Sequence, residues 1–435
     1  MENIMKKSYE FYKWRIWLIL AAAFVMALFH RMASGVVAEE LTKELSLSAS
    51  QLGNIASITY YTYAFMQIPA GMLLDSIGPR KVSALGMLFT ALGSVVFGAA
   101  TNVYLAYLGR FLVGLGTSVI FISVLKAQSN WFTLKEFSKA SGRLSFIGNL
   151  GGVLATFPLA ALVLKVGWRG SFYIMSLICF IISVFIWKYV KDTPADLGFE
   201  AINKVKTPVK VNIKEAFIIV TKNSVTWRNF LLLFALVGCT TTFTGLWGVT
   251  YLTSVYELTK ASAAFYISFV IYGFVVGSLF IGRASHIFKN NLMMYPRIAA
   301  SIITIIWFYI LIIAQGQPPL NVLPVLFFLM GALAMSHILC FTDIKENIAE
   351  SYSGIATSIV NSGEFIGSSI ISIFIGVILD TKWQGTMING SKAYGIAEYK
   401  LAFLLFLAIS VIGVFASFIK PTEVCTNEEL VEEVL

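Results

Sequence analysis

Arg31, Arg110 and Glu364 each interrupt a long apolar run. An ionisable group placed inside such a run costs about 2.5–3.5 kcal/mol to insert into a bilayer. Residues kept at that cost are candidates for chemistry. At 1.5 Å per helical residue, Arg31 falls about 25 Å from one end of its run, and Arg110 about 10 Å from the opposite end of its own. The two cations therefore share a depth and repel unless an anion joins them. A carboxylate or phosphate fits, because guanidinium offers a planar, two-pronged set of donors. The alternative is that each arginine snorkels to the surface or binds a helix carbonyl. Glu364 is the one acid near mid-run, and by type and depth it is the first candidate to carry a proton. His30, beside Arg31, is the second, and Asp343, closing its run, the third.

Uncharged polar residues supply the rest of a site. Tyr60, Tyr63 and Gln67 are spaced by three and four, which puts them on one helix face. Thr240, Thr241, Thr242, Thr244 and Trp247 surround Gly245 and Gly248, where a bend would free backbone groups. These residues either line a polar cavity with the arginines or bond neighbouring helices. Cys179, Cys239, Cys340 and Cys425 have no metal-type spacing. There is no nucleophile–base constellation and no nucleotide-binding loop, so neither an enzyme nor a cofactor is expected.

The elements that must hold these residues are membrane helices. Of 435 residues, 57% are hydrophobic and 13% charged, where a soluble protein carries about 25% charged residues. The apolar runs are long enough for a hydrocarbon core of about 30 Å, and backbone in lipid must pair internally, so the runs are helices. Twelve are read, at 14–36, 51–74, 82–101, 103–126, 144–164, 170–190, 229–252, 262–283, 296–314, 321–343, 355–379 and 401–419. The net charge of +9 does not point to nucleic acid. Only Lys43, Lys165, Arg169, Lys260, Lys382, Lys392 and Lys400 fall in connections on the side away from the termini. Basic residues accumulate on the cytoplasmic side of membrane proteins, so both termini are expected there. The run after Lys6 and Lys7 is too long for a signal-peptide core and reads as an uncleaved first span.

The chain divides once, into a bundle over 1–190, a polar basic linker over 191–228 with a short interfacial helix near 211–221, a second bundle over 229–419, and an acidic tail over 420–435. The halves repeat. Leu47-Ser48 matches Leu258-Thr259, Tyr61 matches Tyr272 and Gly71 matches Gly282, all at an offset of 211, while Ser141-Gly142 matches Ser353-Gly354 and Gly151 matches Gly363 at 212. Internal repeats of this kind are a signature of secondary transporters.

Between the second and third runs stand Gly71, Asp75, Gly78, Arg80 and Lys81. This stretch resembles the loop signature of the major facilitator superfamily, G-x-x-x-D-R-x-G-R-[RK], with Ser76 in place of the first arginine. Gly71 is expected to let its helix approach a neighbour, Asp75 to accept hydrogen bonds from a helix N-terminus or an arginine, and Gly78 to make the turn. Arg80 and Lys81 are expected to anchor the cytoplasmic face. The second copy, Gly282-Arg-Ala-Ser285-His286, is degraded, and the glycine pattern of drug antiporters around Asn149 is not matched. The resemblance implies two pseudo-symmetric six-helix bundles around a cavity that opens to each side in turn. Asp75 would then work at the inner gate, as would Asp343 and Glu346, for which the gate is favoured over coupling.

LFHRMASGVVAEEL and the paired arginines further resemble the organic-anion members, the anion–cation symporter type, in which carboxylates stand where His30 and Thr117 stand here. Together these features imply a proton-linked secondary transporter of a small organic anion in the inner membrane. It would act as a monomer, with protons, substrate and lipid as its partners. The alternatives are an exporter of hydrophobic or cationic compounds, which the arginines disfavour, and a non-transporting membrane sensor.

Overall fold

The computed structural model describes residues 2–199, 213–288, 291–388 and 391–421. Its helices are α1 (Glu2–Met32), α2 (Ala38–Leu45), α3 (Ala49–Gly98), α4 (Val103–Ser118), α5 (Ile120–Trp131), α6 (Leu134–Leu154), α7 (Phe157–Tyr189), α8 (Ile213–Lys222), α9 (Ser224–Leu233), α10 (Cys239–Thr242), α11 (Gly248–Val255), α12 (Lys260–Ile287), α13 (Met294–Phe308), α14 (Leu323–Ala334), α15 (Ile338–Asn347), α16 (Glu350–Lys382) and α17 (Ile396–Ala416). Two short strands, β1 (Met387–Ile388) and β2 (Ser391–Lys392), pair antiparallel in the connection before α17.

Several of these elements combine or divide to give twelve membrane crossings. Gly78 in α3 (φ 82°) and Gly167 in α7 (φ 72°) adopt a backbone conformation that favours glycine, so the chain turns back at each. α3 crosses twice, while the short first part of α7 completes the crossing begun by α6 and the rest makes the next. Pro79 follows as the first residue of a new helix, where its missing N–H costs nothing. α4 runs into α5. The crossing from α9 to α11 contains two π-helical turns, Phe234–Gly238 and Phe243–Trp247, and Met335–His337 joins α14 to α15 as a 3-10 turn. Among the described residues, ten stretches are long and apolar enough to cross a membrane. The more polar stretches 49–77 and 134–154, which carry Gln51, Asn54 and Gln67, and Lys139, Arg143 and Asn149, complete the twelve.

Boundaries differ from the sequence reading where polar caps, rather than hydropathy, end a helix. Thr133 and Glu136 form a capping box that starts α6 ten residues before the expected 144. Asn223 caps α9, which shortens the linker. α1 stops at Met32 instead of continuing to 36. The expected interfacial helix is α8. The linker residues 200–212 and the tail from 422 onward lie outside the described residues.

Residues 2–189 form one bundle and 224–416 the other. Aromatic rings fill each centre: Phe97, Trp168 and Phe172 in the first, and Phe243, Trp307, Phe403 and Phe406 in the second, with Trp307 stacked on Phe406 at 4.6 Å. The bundles meet along α3 and α16. The face carrying α2 and the strand pair is called the hairpin face, and the opposite one the terminal face.

Candidate functional site

The site is built around a helix that ends inside the membrane. After Met32 the chain leaves the helix for residues 33–37, all buried, and then resumes as α2. A helix end leaves its last carbonyls without partners, which in lipid must be supplied from elsewhere. Arg110 Nη1 donates to His30 O at 3.1 Å, and the Tyr60 hydroxyl lies 3.4 Å from Arg31 O. Gly35 N–H donates to Gly245 O at 2.8 Å. Gly245 belongs to a π-turn in the corresponding crossing of the other bundle, so the two repeats touch backbone to backbone where both depart from α-helix.

Arg31 points from this break across the interface. Its Nη1 lies 3.2 Å from Glu364 Oε1 on α16, with both side chains largely buried. The guanidinium sits over two rings, 5.1 Å from Tyr63 and 5.0 Å from Phe365, which themselves stack at 4.1 Å. One ring and one charge come from each bundle. His337 lies within electrostatic reach of Glu364, half-buried, with Nδ1 2.8 Å from Ala334 O. Phe365 and His337 did not emerge from the sequence reading. The signals were there: Phe365 adjoins the deep acid, and His337 is one of only 3 histidines in the chain.

Arg110 departs from the expected pairing. It is fully buried and gives Nε to Ile55 O at 3.3 Å and Nη1 to His30 O, leaving Nη2 without a partner. It braces the helix break from behind, as the carbonyl-binding alternative has it, and only Arg31 faces the other bundle. His30 also turns away. Successive helical residues point about 100° apart, and His30 Nε2 faces Ser94 Oγ at 3.3 Å and Cys179 Sγ at 3.7 Å inside the first bundle. Thr117 spends its hydroxyl on Val113 O of its own helix.

The threonines and Trp247 resolve as packing. Thr241 and Thr242 bond Ser368 on α16, at 2.6 Å to its hydroxyl and 3.2 Å to its carbonyl. Trp247 is buried toward the hairpin face, its Nε1 3.3 Å from Ser372 Oγ, while Gln67 is half-buried on the terminal side of Tyr63. Asp343 is enclosed in the second bundle by Arg228 at 2.5 Å, Asn229 at 2.6 Å and Asn347 at 3.2 Å. This buried acid therefore has a cation and two amides of its own. Glu346 is exposed at the rim of a small cavity beside Arg297 on the terminal face.

The loop signature is built within the first bundle. A Cβ on Gly78 would meet the Asp192 carboxylate at 2.8 Å, and Asp192 Oδ1 accepts from Arg80 N–H at 2.7 Å. Arg80 Nε and Nη2 donate to Trp187 O at 2.9 and 2.6 Å, and its guanidinium covers the Trp187 ring. Partial burial holds the Asp192 carboxyl above the usual carboxylate range, against the pull of that N–H. Lys81 is exposed, and the Asp75 side chain lies outside the described residues. Gly71 departs from its expected role, since a Cβ there would meet nothing within 4 Å, and the same holds for Gly142 and Gly354 on the terminal face. On the hairpin face the bundles are joined instead. Ser57 Oγ donates to Ser369 O at 2.9 Å, Ser372 Oγ to Gly53 O at 3.3 Å, and Lys260 pairs with Glu40. In this conformation the bundles are joined between Arg31 and a cavity of about 630 Å³ that opens on the hairpin face, lined by Leu52 and Ala49 from one bundle and Trp247 and Tyr394 from the other. Among the described residues they stand apart at Gly71, Gly142 and Gly354 on the terminal face.

Comparison with known proteins agrees with this architecture. The family model described as Major Facilitator Superfamily matches residues 19–372. A probable L-galactonate transporter of Escherichia coli is 24% identical over 84% of this chain and 82% of its own length. A probable hexose phosphate transport protein of Chlamydia trachomatis is 26% identical over 47% of this chain, and the match spans only 45% of that relative. Among solved structures, a bacterial homologue of the human lysosomal transporter Spinster, inward-facing and unoccupied, superposes with a TM-score of 0.77. It is 17% identical, over 94% of this chain and 96% of that one, a likeness of fold. Matched by that family model over most of its length and folded as two six-helix bundles, the chain belongs to the major facilitator superfamily of membrane transporters.

Proposed function

We propose that the protein is a secondary active transporter that carries a small organic anion, with a carboxylate or phosphate group, together with a proton. The Arg31–Glu364 pair carries this reading. A guanidinium at mid-membrane, held by a carboxylate from the opposite bundle, is already arranged as it would be for a substrate carboxylate. Protonation of Glu364 neutralises the competitor and frees the fork of Arg31, so anion and proton bind together. The substrate then replaces Glu364 on Arg31 under the Tyr63 and Phe365 rings, with Tyr60 and Gln67 offering hydrogen bonds and Arg110 keeping the helix end in place. Relatives named for hexonate and hexose phosphate transport support an anionic substrate of this size. An exporter of cations is disfavoured by a cation at the centre. The basic N-terminal segment and linker support a terminal face in the cytoplasm by the positive-inside bias, in an inner membrane.

Uptake into proteoliposomes tests the reading. A panel of sugar acids and sugar phosphates is supplied with and without an inward proton gradient. Accumulation of at least one anion, driven by the gradient and competed by the others, is expected. Uptake of organic cations with no response to any anion would sink it.

A further inference from the structure

Asp380, at the last turn of α16, reaches across to the opposite bundle. Ser48 caps α3 through Gln51 N–H, which leaves the first N–H groups of α3 to find acceptors elsewhere. They find Asp380: Ser50 N–H donates to Oδ2 at 2.8 Å and Ala49 N–H to Oδ1 at 3.2 Å, and the Ser50 hydroxyl donates to Oδ2 at 2.6 Å. From its own bundle the carboxylate receives the Tyr394 hydroxyl at 2.8 Å and Lys392 Nζ at 3.3 Å. A carboxylate at a helix N-terminus is favoured by the helix dipole. Here the helix and the acid belong to different bundles. One turn earlier, a Cβ on Gly376 would meet Ala49 O at 2.5 Å, so the two backbones are already in contact.

The same two helices present the opposite arrangement at their other ends. α16 starts at Glu350 after Ala349, which supplies no side-chain cap. The acid near the end of the facing stretch of α3 is Asp75. Gly71 and Gly354, which flank that meeting point, stand in open space. One end of the α3–α16 pair is latched by a carboxylate and the other is parted.

We propose that Asp380 is a positioning residue that holds the hairpin face shut by capping α3 across the interface, and that it must release Ala49 and Ser50 before the site can open to that face.

The test follows accessibility and needs no substrate, so its outcome is independent of the anion–proton reading. Ser57→Cys, buried behind the latch, is introduced into the full chain with the native cysteines replaced. Labelling by an impermeant maleimide is timed in proteoliposomes, the reagent acting on the hairpin face. Asp380→Asn is expected to speed labelling at least tenfold, and Asp380→Glu to return it toward the parent rate. Ala49→Pro with Ser50→Ala removes two of the three donors from the other bundle, with proline at the first helical position, where it is tolerated; it should act in the same direction as Asp380→Asn. Labelling within twofold of the parent in both Asp380→Asn and the double variant, with the protein folded and monodisperse, overturns the proposal.

Discussion

On the proposed reading Arg31 binds the anion and Glu364 carries the proton, and their variants should separate the two. Arg31→Lys keeps the charge but loses the planar fork. Binding of a carboxylate substrate, measured by calorimetry at fixed pH, is expected to weaken at least tenfold, about 1.4 kcal/mol. Glu364→Gln keeps the size of the side chain and removes the competing charge. Arg31 is then left without its partner, a costly state for a mostly buried cation. Equilibrium anion binding should therefore tighten, while accumulation driven by a proton gradient disappears and exchange of labelled for unlabelled substrate survives. Unchanged gradient-driven accumulation in Glu364→Gln would move proton carriage to His337, since His30 faces the closed interior of the first bundle and Asp343 is held by Arg228. The sequence showed the depth of Arg31, His30 and Arg110 but not their direction. Depth follows from counting along a run, whereas direction depends on the rotation of each helix about its axis, and a hydrophobic run carries little of that information.

Helix ends account for most of what the sequence hid. Ser48, Thr133 and Asn223 start helices by capping, and a hydropathy reading places those starts inside the true ones, little at Ala49 and far at Leu134. The break after Met32 changes no composition at all and stays invisible until Gly35 is seen in contact with Gly245, whereas the π-turn at Gly245 falls where its paired glycines led a bend to be expected. The glycines of the loop signature and of the repeat were legible as types, and Gly78 fulfils its role as a turn. Close packing was less legible. A Cβ on Gly331 would lie 1.9 Å from Val270 O on α12, and one on Gly151 would lie 2.0 Å from Val25 O on α1. Both neighbours are backbone and cannot rotate away. Gly331→Ala and Gly151→Ala are each expected to cost about 1–3 kcal/mol by overpacking, read as earlier thermal unfolding in detergent. Gly142→Ala, on an open helix face, serves as the neutral comparison. Equal melting of all three would show that the helices separate more easily than their contacts imply.

Two bundles, a repeat and an uneven distribution of basic residues were all readable before any coordinates, because each is a property of the whole chain and not of one position. Orientation follows from the same asymmetry and can be tested directly. In a background free of native cysteines, Lys382→Cys in the last turn of α16 should react with an impermeant reagent added to intact cells. Lys139→Cys, exposed on α6 at the terminal face, should react only after the membrane is opened. The reverse pattern would invert the whole assignment, and with it the side to which the parted interface opens.

The contact between Gly35 and Gly245 has a consequence for measurement. It is made by main-chain atoms alone, N–H to O=C at 2.8 Å, so the hydrogen bond itself belongs to no side chain and survives most substitutions around it. An amide held this way exchanges with deuterium only when its bond opens and water arrives. Separation of the bundles on the hairpin face breaks this bond and admits water to Gly35. The exchange rate of this one amide thus counts how often an unlabelled, unmodified molecule visits the opposite opening, and a substrate or proton that shifts that balance would be recorded there as a change in a single hydrogen's lifetime.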